Sequence, residues 1–413
     1  MTEQHRSVDS KPPGPLAGIK VLELGSLIAG PYAAALLAQF GAEVIKIEPP
    51  AGGDPLRVWR VLHEGTSLWW YCQSRNKKSV AVDLRQEDGR RIVRMLAAEA
   101  DIVIENFKPS TLEKWKLGWS DLSAINPNLI MVSISGYGQT GPKRDHPGFA
   151  AIAEAMGGLR FVTGFPDRPS VRAGVSIGDT LASLYAVIGA LMALFHRKAN
   201  GGRGQQVDVA LYEAVFAIME SLLPEYSVNG VVRERAGATL AGIAPSNTYR
   251  CSDGKDVVIA GNSDGIFKKF MCAIGRPDLA QDPLLARNDG RVRAAHRLDA
   301  LIAAWCATRP LTDVLTTLEN ADVPAGGIYS AADIVNDPQF KARDMIQRTI
   351  LPDGTPIDLP GIVPKMSVTP GRTQWLGPRL GAHTREVLAS IGIEDAELES
   401  LSARGVVLES GSR

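Results

Sequence analysis

Asp179 is the residue whose type and surroundings point most directly to chemistry, because it lies between Gly178 and a long apolar stretch. An aspartate at such a place is a favoured N-cap, since its carboxylate can accept hydrogen bonds from the first N–H groups of a helix. The same placement would let the carboxylate attack an acyl group while nearby N–H groups hold the oxyanion. The residues alone favour the helix cap and keep the nucleophile as the alternative.

A second candidate nucleophile is Ser176, at the centre of a literal GxSxG that reads Gly174-Val-Ser-Ile-Gly178. In an α/β-hydrolase this serine follows a strand, whereas the preceding residues 167–173 include Pro169 and make a poor strand. So short a pattern also arises readily by chance. We therefore do not expect Ser176 to be a nucleophile.

The stretch over residues 25–30 lies about 20 residues before Glu48, the spacing at which an acid binds ribose in dinucleotide-binding folds. It reads Gly25-Ser-Leu-Ile-Ala-Gly30 rather than GxGxxG, so it lacks the glycines that let backbone approach a pyrophosphate. The sequence contains no GxxxxGKS or GxxxxGKT phosphate loop either. A nicotinamide oxidoreductase and a P-loop enzyme are therefore disfavoured.

The composition is that of a large soluble protein. The 45 Lys and Arg residues balance 45 Asp and Glu, which removes any general attraction to nucleic acid or to an anionic membrane. The basic runs Asn76-Lys-Lys78 and His196-Arg-Lys198 are predicted to be solvated surface. The cysteines show no CxxC spacing and the histidines no HxH or HExxH pair, so neither a disulfide framework nor a metal site is expected.

The elements that must position these residues alternate between strand and helix. Strands are predicted over residues 19–24, 44–47, 101–106 and 129–133, and helices over 31–40, 88–100 and 109–116. This alternation implies a parallel sheet with helices on its faces, so residues 17–135 form a doubly wound α/β unit. Ligands are expected beyond the carboxyl ends of the strands.

The most apolar run, residues 181–195, predicts a buried core helix, because a membrane crossing needs roughly 20 residues. The polar residues 1–15 predict a disordered tail and, without the apolar core of a signal peptide, a cytoplasmic protein with no membrane partner. The remaining predicted elements are a strand over 206–210, a helix from Tyr212, a turn-rich stretch over 245–254, and helices near 266–273, 293–307 and 384–391.

Ten short stretches, none of them specific alone, follow one another over nearly the whole chain. They are Leu16-Ala-Gly-Ile-Lys-Val-Leu-Glu-Leu24, Ala29-Gly-Pro31, Gly41-Ala-Glu-Val-Ile-Lys-Ile-Glu48, Arg75-Asn-Lys-Lys-Ser79, Glu105-Asn-Phe-Lys-Pro109, Ser133-Ile-Ser-Gly-Tyr-Gly138, Gly178-Asp179, Gly202-Arg-Gly-Gln-Gln-Val-Asp-Val-Ala-Leu211, Asp322-Val-Pro-Ala-Gly326 and Leu380-Gly-Ala-His-Thr384. In this order they make the sequence resemble the family III CoA-transferases, the group of the formyl-CoA and carnitine CoA-transferases.

The resemblance implies an α/β fold with a Rossmann-like, doubly wound large domain and a smaller α/β domain. The large domain would comprise residues 16–229 and a return segment over 331–413, and the small domain residues 230–330. Two such chains would interlock as a ring-like homodimer. Acyl-CoA and a carboxylic acid would be the substrates, with no permanently bound cofactor.

In this family the nucleophile falls on Asp179. Its carboxylate would attack the donor thioester to give an aspartyl anhydride, and released CoA would then form an aspartyl-CoA thioester. The resemblance also assigns CoA contacts to Ile28, Ala29, Leu84, Arg85, Asn106, Phe107, Lys108 and Lys114. Among these, the three cations suit the phosphates of CoA.

Three features depart from the family pattern. Ser110 stands where glycine is usual, and Pro49 stands where some members have an arginine near the adenine. The loop Gly261-Asn-Ser-Asp-Gly265 has fewer glycines than the family's glycine-rich lid, which predicts a different acceptor or a different lid motion. A small dicarboxylate with succinyl-CoA as donor is expected, because such pairs are frequent in the family.

Two other functions stay open. An α-methylacyl-CoA racemase would need a histidine followed by Asp-Ile-Asn-Tyr, whereas this chain has His146-Pro-Gly-Phe149, so His146 is expected to be a surface-loop residue. A non-catalytic CoA-binding protein is the other alternative, and Gly178-Asp179 counts against it. Trp69, Trp70 and Tyr71 could line an acyl pocket, but core packing is the favoured interpretation.

Overall fold

The computed structural model describes residues 13–411 of the chain, so residues 1–12 of the predicted tail lie outside the described residues. The strands are β1 Lys20–Glu23, β2 Glu43–Glu48, β3 Leu62–His63, β4 Thr66–Ser67, β5 Lys77–Val82, β6 Ile102–Glu105, β7 Ile130–Ser135, β8 Gln206–Ala210, β9 Ser246–Arg250, β10 Asp256–Ala260, β11 Ala325–Gly327, β12 Ile346–Ile350, β13 Pro356–Pro360 and β14 Val407–Leu408.

Helices connect and flank these strands. They are α1 Ala29–Gln39, α2 Leu68–Gln73, α3 Glu87–Glu99, α4 Thr111–Lys114, α5 Trp119–Ile125, α6 Ala150–Met156, α7 Leu159–Val162, α8 Ile177–Ala199, α9 Leu211–Phe216, α10 Leu222–Asn229, α11 Asp264–Ala273, α12 Pro277–Ala280, α13 Asn288–Arg293, α14 Ala295–Cys306, α15 Leu311–Glu319, α16 Ala331–Asn336, α17 Pro338–Ala342, α18 Thr384–Ser390 and α19 Asp395–Ala403.

The described residues form two compact units. The large unit contains residues 13–159, 173–220 and 344–411, and the small unit contains residues 160–172 and 221–343. The chain therefore leaves the large unit and returns to it. In the small unit, the antiparallel sheet β11-β10-β9 packs its apolar residues, such as Val257 and Ile259, against helices α11, α14 and α15.

A seven-stranded sheet, in the order β14-β5-β2-β1-β6-β7-β8, forms the centre of the large unit. All neighbouring strands run parallel except β14, which pairs antiparallel with β5. The predicted α/β fold with a parallel sheet is confirmed. From β1 the chain adds β2 and β5 on one side and then β6, β7 and β8 on the other, so the strand order reverses between β1 and β6.

Both faces of this sheet are covered because its strands are apolar on both sides. Leu22 and Val103 point to one face and pack with α3, α5, α18 and α19. Val21 and Ile102 point to the other face and pack with α1, α6, α8 and α9. The carboxyl edge of the sheet is left for the loops that connect strands to helices, and this is where ligands bind in such folds.

Some predictions of burial and local structure were wrong. Helix α8 is longer than predicted and is not a buried core helix, because only its small-residue face is covered while Met192 and Phe195 are 66% and 74% exposed. By length and composition it could span a membrane, but its covered face packs with α1 in the large unit. The stretch predicted to be turn-rich contains β9, whose ladder with β10 local composition could not reveal.

The basic run at residues 76–78 was predicted to be solvated, yet Asn76 and Lys77 are buried. Lys77 begins β5, which lies inside the sheet, and its ammonium group is 2.7 Å from the Glu23 carboxylate on β1. A partner on another strand cannot be read from the local charge pattern. The helix predicted over 109–116 is also shorter than expected, and α4 is followed by the separate helix α5.

Candidate active site

The turn that connects β1 to α1 lies where the strand order reverses. Within it, Leu27 has a φ of +64°, in the left-handed region that residues other than glycine rarely adopt. Such a conformation costs roughly 1–2 kcal/mol for an L-residue and persists only where its surroundings hold it. The backbone of this turn is therefore fixed by other parts of the chain.

Three side chains hold the turn. The N–H of Leu27 donates to both carboxylate oxygens of Asp54, at 3.0 and 3.2 Å, and its carbonyl accepts from Gln73 Nε2 at 2.6 Å. Asn106, at the end of β6, accepts from the Ser26 N–H at 2.8 Å and donates to the Ser26 carbonyl at 2.9 Å. The Asn106 amide thus joins the loops on either side of the point where the strand order reverses.

The glycines of the turn make room for this amide. A Cβ atom at Gly25 would lie 2.5 Å from Asn106 Oδ1, and one at Gly30 would lie 3.2 Å from the same atom. Their spacing is therefore explained by a side chain packed against the backbone. Asn106, which the resemblance assigns to CoA binding, also has a structural role.

A buried group of charges lies beneath the turn. Lys46 Nζ is 2.7 Å from Glu23 Oε1, 2.8 Å from Asp54 Oδ2 and 2.9 Å from the carbonyl oxygen of Gly25. Burial alone lowers the pKa of Lys46, but the carboxylates of Asp54, Glu23 and Glu48 outweigh it and raise the pKa above its usual value. Lys46 therefore stays charged in the interior.

For the Asp54 carboxyl group, burial acts in the opposite direction and raises the pKa. Lys46 and the N–H groups of Leu56 and Leu27 outweigh burial, so the pKa of Asp54 is lowered overall. Asp54 is then an anion that can accept the Leu27 N–H. Glu48 is held by Arg57 at 2.7 and 2.8 Å and by the Ser79 hydroxyl at 2.6 Å. Its oxygens fix the loop after β2, which argues against a ribose-binding role.

Asp179 is the third residue of α8, and Ser176 occupies the N-cap position. Since α8 returns from β7 to the parallel strand β8, its N-terminus lies at the carboxyl edge of the sheet. Ser183, one helical turn after Asp179, has its hydroxyl 2.7 Å from both the Asp179 carbonyl and the Ala29 carbonyl. This contact ties the turn that contains Asp179 to the start of α1.

Gly178 allows the start of α8 to pack closely. A Cβ atom at this position would lie 3.2 Å from the carbonyl oxygen of Ala150 and 3.3 Å from its Cβ atom, at the start of α6. Asp179 therefore follows a glycine because two helices meet there. The prediction that Asp179 is the N-cap of this helix is wrong, because the N-cap is Ser176, three residues earlier. The carboxylate of Asp179 lies instead in the first turn of α8.

The other nucleophile candidate fails on geometry. Ser176 is buried, and residues 163–175 before it form no strand, so this GxSxG is not a nucleophile elbow, as expected.

His146 lies exposed in a loop, which confirms the prediction that it is a surface-loop residue. Trp70 and Tyr71 are buried in a cluster with Leu56, so the core interpretation is confirmed for them.

The residues assigned to CoA by resemblance all lie on the carboxyl side of the sheet. Ile28 and Ala29 are at the start of α1, Leu84 and Arg85 follow β5, and Asn106, Phe107, Lys108 and Lys114 follow β6. Arg85 is bound by the Asp83 carboxylate through two contacts of 2.9 Å. Leu84 and Phe107 pack partly against the hydrophobic core beneath them.

Glu105 is a further buried acid of this edge. Its Oε2 accepts the N–H of Phe107 at 2.8 Å, which shapes the loop that carries three of the assigned CoA contacts. Burial raises the pKa of Glu105 to about 7, against hydrogen bonds from Ser133 and the Phe107 N–H that lower it. This carboxyl group is therefore poised to change its charge near neutral pH.

Sequence reasoning missed the supporting residues Asp54, Gln73, Ser183 and Glu105 as parts of the site. Ser183 could have been found, because a residue four positions after Asp179 shares its helix face. Asp54, which follows two glycines, carried only a turn signal.

Within residues 13–411, no group of three or more His, Cys, Asp or Glu is arranged to hold a metal, and the four cysteines are free.

The fold is of the α/β class, and this candidate site lies at the carboxyl edge of its parallel sheet, where ligands bind in such folds. The sequence model of CoA-transferase family III matches residues 16–384, and the chain belongs to this family. It is 48% identical over 399 residues to the succinyl-CoA–D-citramalate CoA-transferase of Chloroflexus aurantiacus, covering 96% of this chain and 99% of that protein.

Two further comparisons agree. The chain is 42% identical over 400 residues to the beta subunit of the succinyl-CoA–L-malate CoA-transferase of Chloroflexus aurantiacus, which covers 95% of this chain and 98% of that protein. The crystal structure of a CaiB/BaiF family protein from Brucella suis matches with a TM-score of 0.81 and 37% identity, covering 92% of this chain and all of that one. The protein is thus a CoA-transferase.

Proposed function

We propose that this enzyme moves CoA reversibly from succinyl-CoA to a small dicarboxylate through covalent intermediates on Asp179. The observation that carries the mechanism is the bond from Ser183 to the Ala29 carbonyl. It fixes the first turn of α8, with Asp179, against the turn assigned to CoA. The proposal for the substrates is supported by relatives named for succinyl-CoA with citramalate, malate and glutarate.

In the first half-reaction, a carboxylate oxygen of Asp179 attacks the thioester carbonyl carbon of succinyl-CoA. The carbon–sulfur bond breaks, CoA leaves as a thiolate, and an aspartyl-succinyl anhydride remains. The thiolate then attacks the Asp179 carbonyl carbon of the anhydride. Succinate leaves as a carboxylate and an aspartyl-CoA thioester is formed.

The second half-reaction reverses these steps with the acceptor. An acceptor carboxylate attacks the Asp179 carbonyl carbon of the thioester and expels the CoA thiolate, which gives a second anhydride. The thiolate attacks the acceptor carbonyl of that anhydride, so acceptor-CoA is released and the Asp179 carboxylate is restored. Water must be excluded throughout, because it would hydrolyse either intermediate.

The CoA thioester would be bound along the carboxyl edge of the sheet. Ile28 and Ala29 would contact it at the first turn, Leu84 and Arg85 after β5, and Asn106, Phe107, Lys108 and Lys114 after β6. The guanidinium and the two ammonium groups suit its phosphates. No resident cofactor enters these steps, because CoA is the group transferred.

We further propose that the large unit is a Rossmann-like domain and that two chains interlock as a homodimer in the cytoplasm. The strand order, with its reversal between β1 and β6, supports the first part. An exposed apolar stripe on α8, at helical spacing, supports the second. It consists of Leu184, Ile188, Leu191, Met192 and Phe195.

The test is mass spectrometry after brief incubation with succinyl-CoA. An adduct with the mass of CoA or succinyl should map to Asp179, disappear with hydroxylamine and be absent from Asp179→Asn. Asp313→Asn is the matched control, because Asp313 is also the third residue of a helix, α15 in the small unit. Wild-type protein without an adduct, but with deuterium uptake at the α-carbon of a branched acyl-CoA, would instead identify a racemase.

A further inference from the structure

Arg144 reaches from the loop between β7 and α6 to the segment that follows β6. Its Nη2 donates to the Ser110 hydroxyl at 2.9 Å. Its Nε is buried and has no hydrogen-bond acceptor, and the carboxylate of Asp145 stays 4.0 Å from it. The Arg144 side chain as a whole is 38% exposed, so the accessible N–H groups of its guanidinium can bind an oxyanion ligand such as phosphate or carboxylate.

The loop that carries Arg144 has a defined shape. Its ends touch, because a Cβ atom on Gly136 would lie only 2.8 Å from the Cα atom of Gly148. Inside it, the rings of Tyr137 and His146 pack edge to face with centroids 6.1 Å apart. The N–H of Gln139 donates to the Asp208 carboxylate at 2.9 Å. Compact loops with closed ends are often functional, and this one holds Arg144 in place.

Ser110 is the residue that receives the guanidinium. Its φ is +68°, the left-handed region, where glycine would be free of strain. Serine is strained in this conformation, but unlike glycine it has a hydroxyl group, and this hydroxyl accepts the hydrogen bond from Arg144. Lys108, Lys114 and Lys116 lie in the segment after β6, so Arg144 adds a fourth cation to it. These cations outnumber the exposed carboxylates of Glu113 and Asp145, so the segment together with the Arg144 loop has a net positive charge.

We propose that Arg144 binds a phosphate group of the acyl-CoA substrate and that Ser110 orients its guanidinium. The inference rests on the proposed function, because it places the nucleotide part of CoA beside the end of β6. CoA carries phosphate at two places, the 5′-diphosphate and the 3′-phosphate of the ribose. Both present the oxyanion that the solvent-accessible N–H groups of the Arg144 guanidinium would contact.

Calorimetric titration of the full-length protein with CoA and with dephospho-CoA tests the proposal without requiring turnover. Arg144→Gln should weaken CoA binding about tenfold or more, as expected for a lost hydrogen bond to a charged group. Arg144→Lys should recover part of the affinity, because a lysine keeps the charge but not the fork. A loss confined to CoA assigns the 3′-phosphate, and equal losses for both ligands assign the diphosphate.

Ser110→Gly separates binding from folding. Glycine relieves the strain at positive φ, so the variant should melt at or above the wild-type temperature while binding CoA more weakly. Arg293→Gln, an exposed arginine of the small unit, is the matched control. If Arg144→Gln binds CoA as tightly as a wild type that transfers CoA, this inference fails and the proposed function stands. A wild type that binds no CoA overturns both.

Discussion

The hydroxyl of Ser183 lies 2.7 Å from the backbone carbonyl of Ala29, and this hydrogen bond joins the second turn of α8 to the first residue of α1. Ser183 is fully buried, so the contact is shielded from water. The hydroxyl also lies 2.7 Å from the carbonyl of Asp179 itself. One side chain therefore sets the position of the proposed nucleophile relative to the turn proposed to bind CoA.

Replacing Ser183 with alanine should reduce both stability and turnover. The Ala29 carbonyl keeps the N–H of its own helix but loses the buried Ser183 hydroxyl, which is expected to lower the free energy of unfolding by about 0.5–1.5 kcal/mol. Because Asp179 is displaced rather than removed, kcat should fall more than KM changes. Urea denaturation and steady-state kinetics measure the two effects.

Ser390→Ala is the control for this prediction. The Ser390 hydroxyl also donates to a carbonyl of its own helix, that of Val387, but it joins no second element. Its loss should change stability by no more than about 0.5 kcal/mol. A Ser183→Ala enzyme with wild-type stability and kcat would show that the contact positions nothing.

The sequence could predict the strands and helices that carry this site, because their apolar periodicity is local. Strand β8 was predicted at its observed bounds, and α1 and α3 to within two residues at each end. The conformation of Leu27 could not be predicted, because leucine has no preference for positive φ. It depends on Asp54, Gln73 and Asn106, which are distant in sequence.

The burial of charged residues could not be predicted from the sequence either. Lys77 belongs to a run of polar residues whose local pattern indicates a surface. It is buried because β5 lies between β2 and β14 and because Glu23 on β1 supplies a counter-charge. Only the order of strands in the sheet decides such a case, and that order is not encoded in any one stretch.

Lys46 should be among the least replaceable residues of the large unit. Lys46→Met leaves Asp54 buried without a cation and Glu23 with Lys77 alone, which is expected to lower the free energy of unfolding by about 3–5 kcal/mol. Lys20→Met is the matched control, since Lys20 pairs with Glu99 at the surface and such pairs contribute about 0–1 kcal/mol. Similar losses in both variants, measured by urea denaturation, would contradict the prediction.

The loop over residues 261–265 should be immobile. Arg291 is fully buried, donates to the carbonyls of Asn262, Ala244 and Leu285, and lies 2.8 Å from the Asp264 carboxylate. Hydrogen exchange of this loop should be slow in the free enzyme and unchanged by acyl-CoA. Faster exchange in the free enzyme that slows on binding would instead identify a moving lid.

Arg291→Met tests the cause of that immobility. Three carbonyls and a carboxylate lose their donor, so the loop should exchange faster and the small unit should lose about 3–5 kcal/mol of stability. Arg293→Met, two residues later, removes an exposed arginine and should leave both quantities unchanged within about 0.5 kcal/mol. Equal behaviour of the two variants would refute the role of Arg291.

Glu105 should make stability depend on pH in a way that opposes ordinary acid denaturation. Burial raises the pKa of this carboxyl group to about 7 in the folded protein, whereas an unfolded glutamate titrates near roughly 4.3. Between these values the folded state binds more protons than the unfolded state. The contribution of Glu105 is therefore fully present below about pH 4.3 and is lost as the pH rises through about 7, by about 3–4 kcal/mol in all.

Glu105→Gln isolates this effect, because an amide cannot ionise but can still accept the Phe107 N–H. The variant should gain about 2–3 kcal/mol relative to the wild type between pH 5 and pH 8 in urea denaturation. Glu319→Gln, at an exposed position in the small unit, controls for the loss of one charge. If Glu105→Gln and the wild type differ by the same amount at both pH values, the carboxyl group does not titrate in this range. The charge of Glu105 beneath the loop of Asn106, Phe107 and Lys108 would then be constant in this range, and CoA affinity should show no pH dependence from this source.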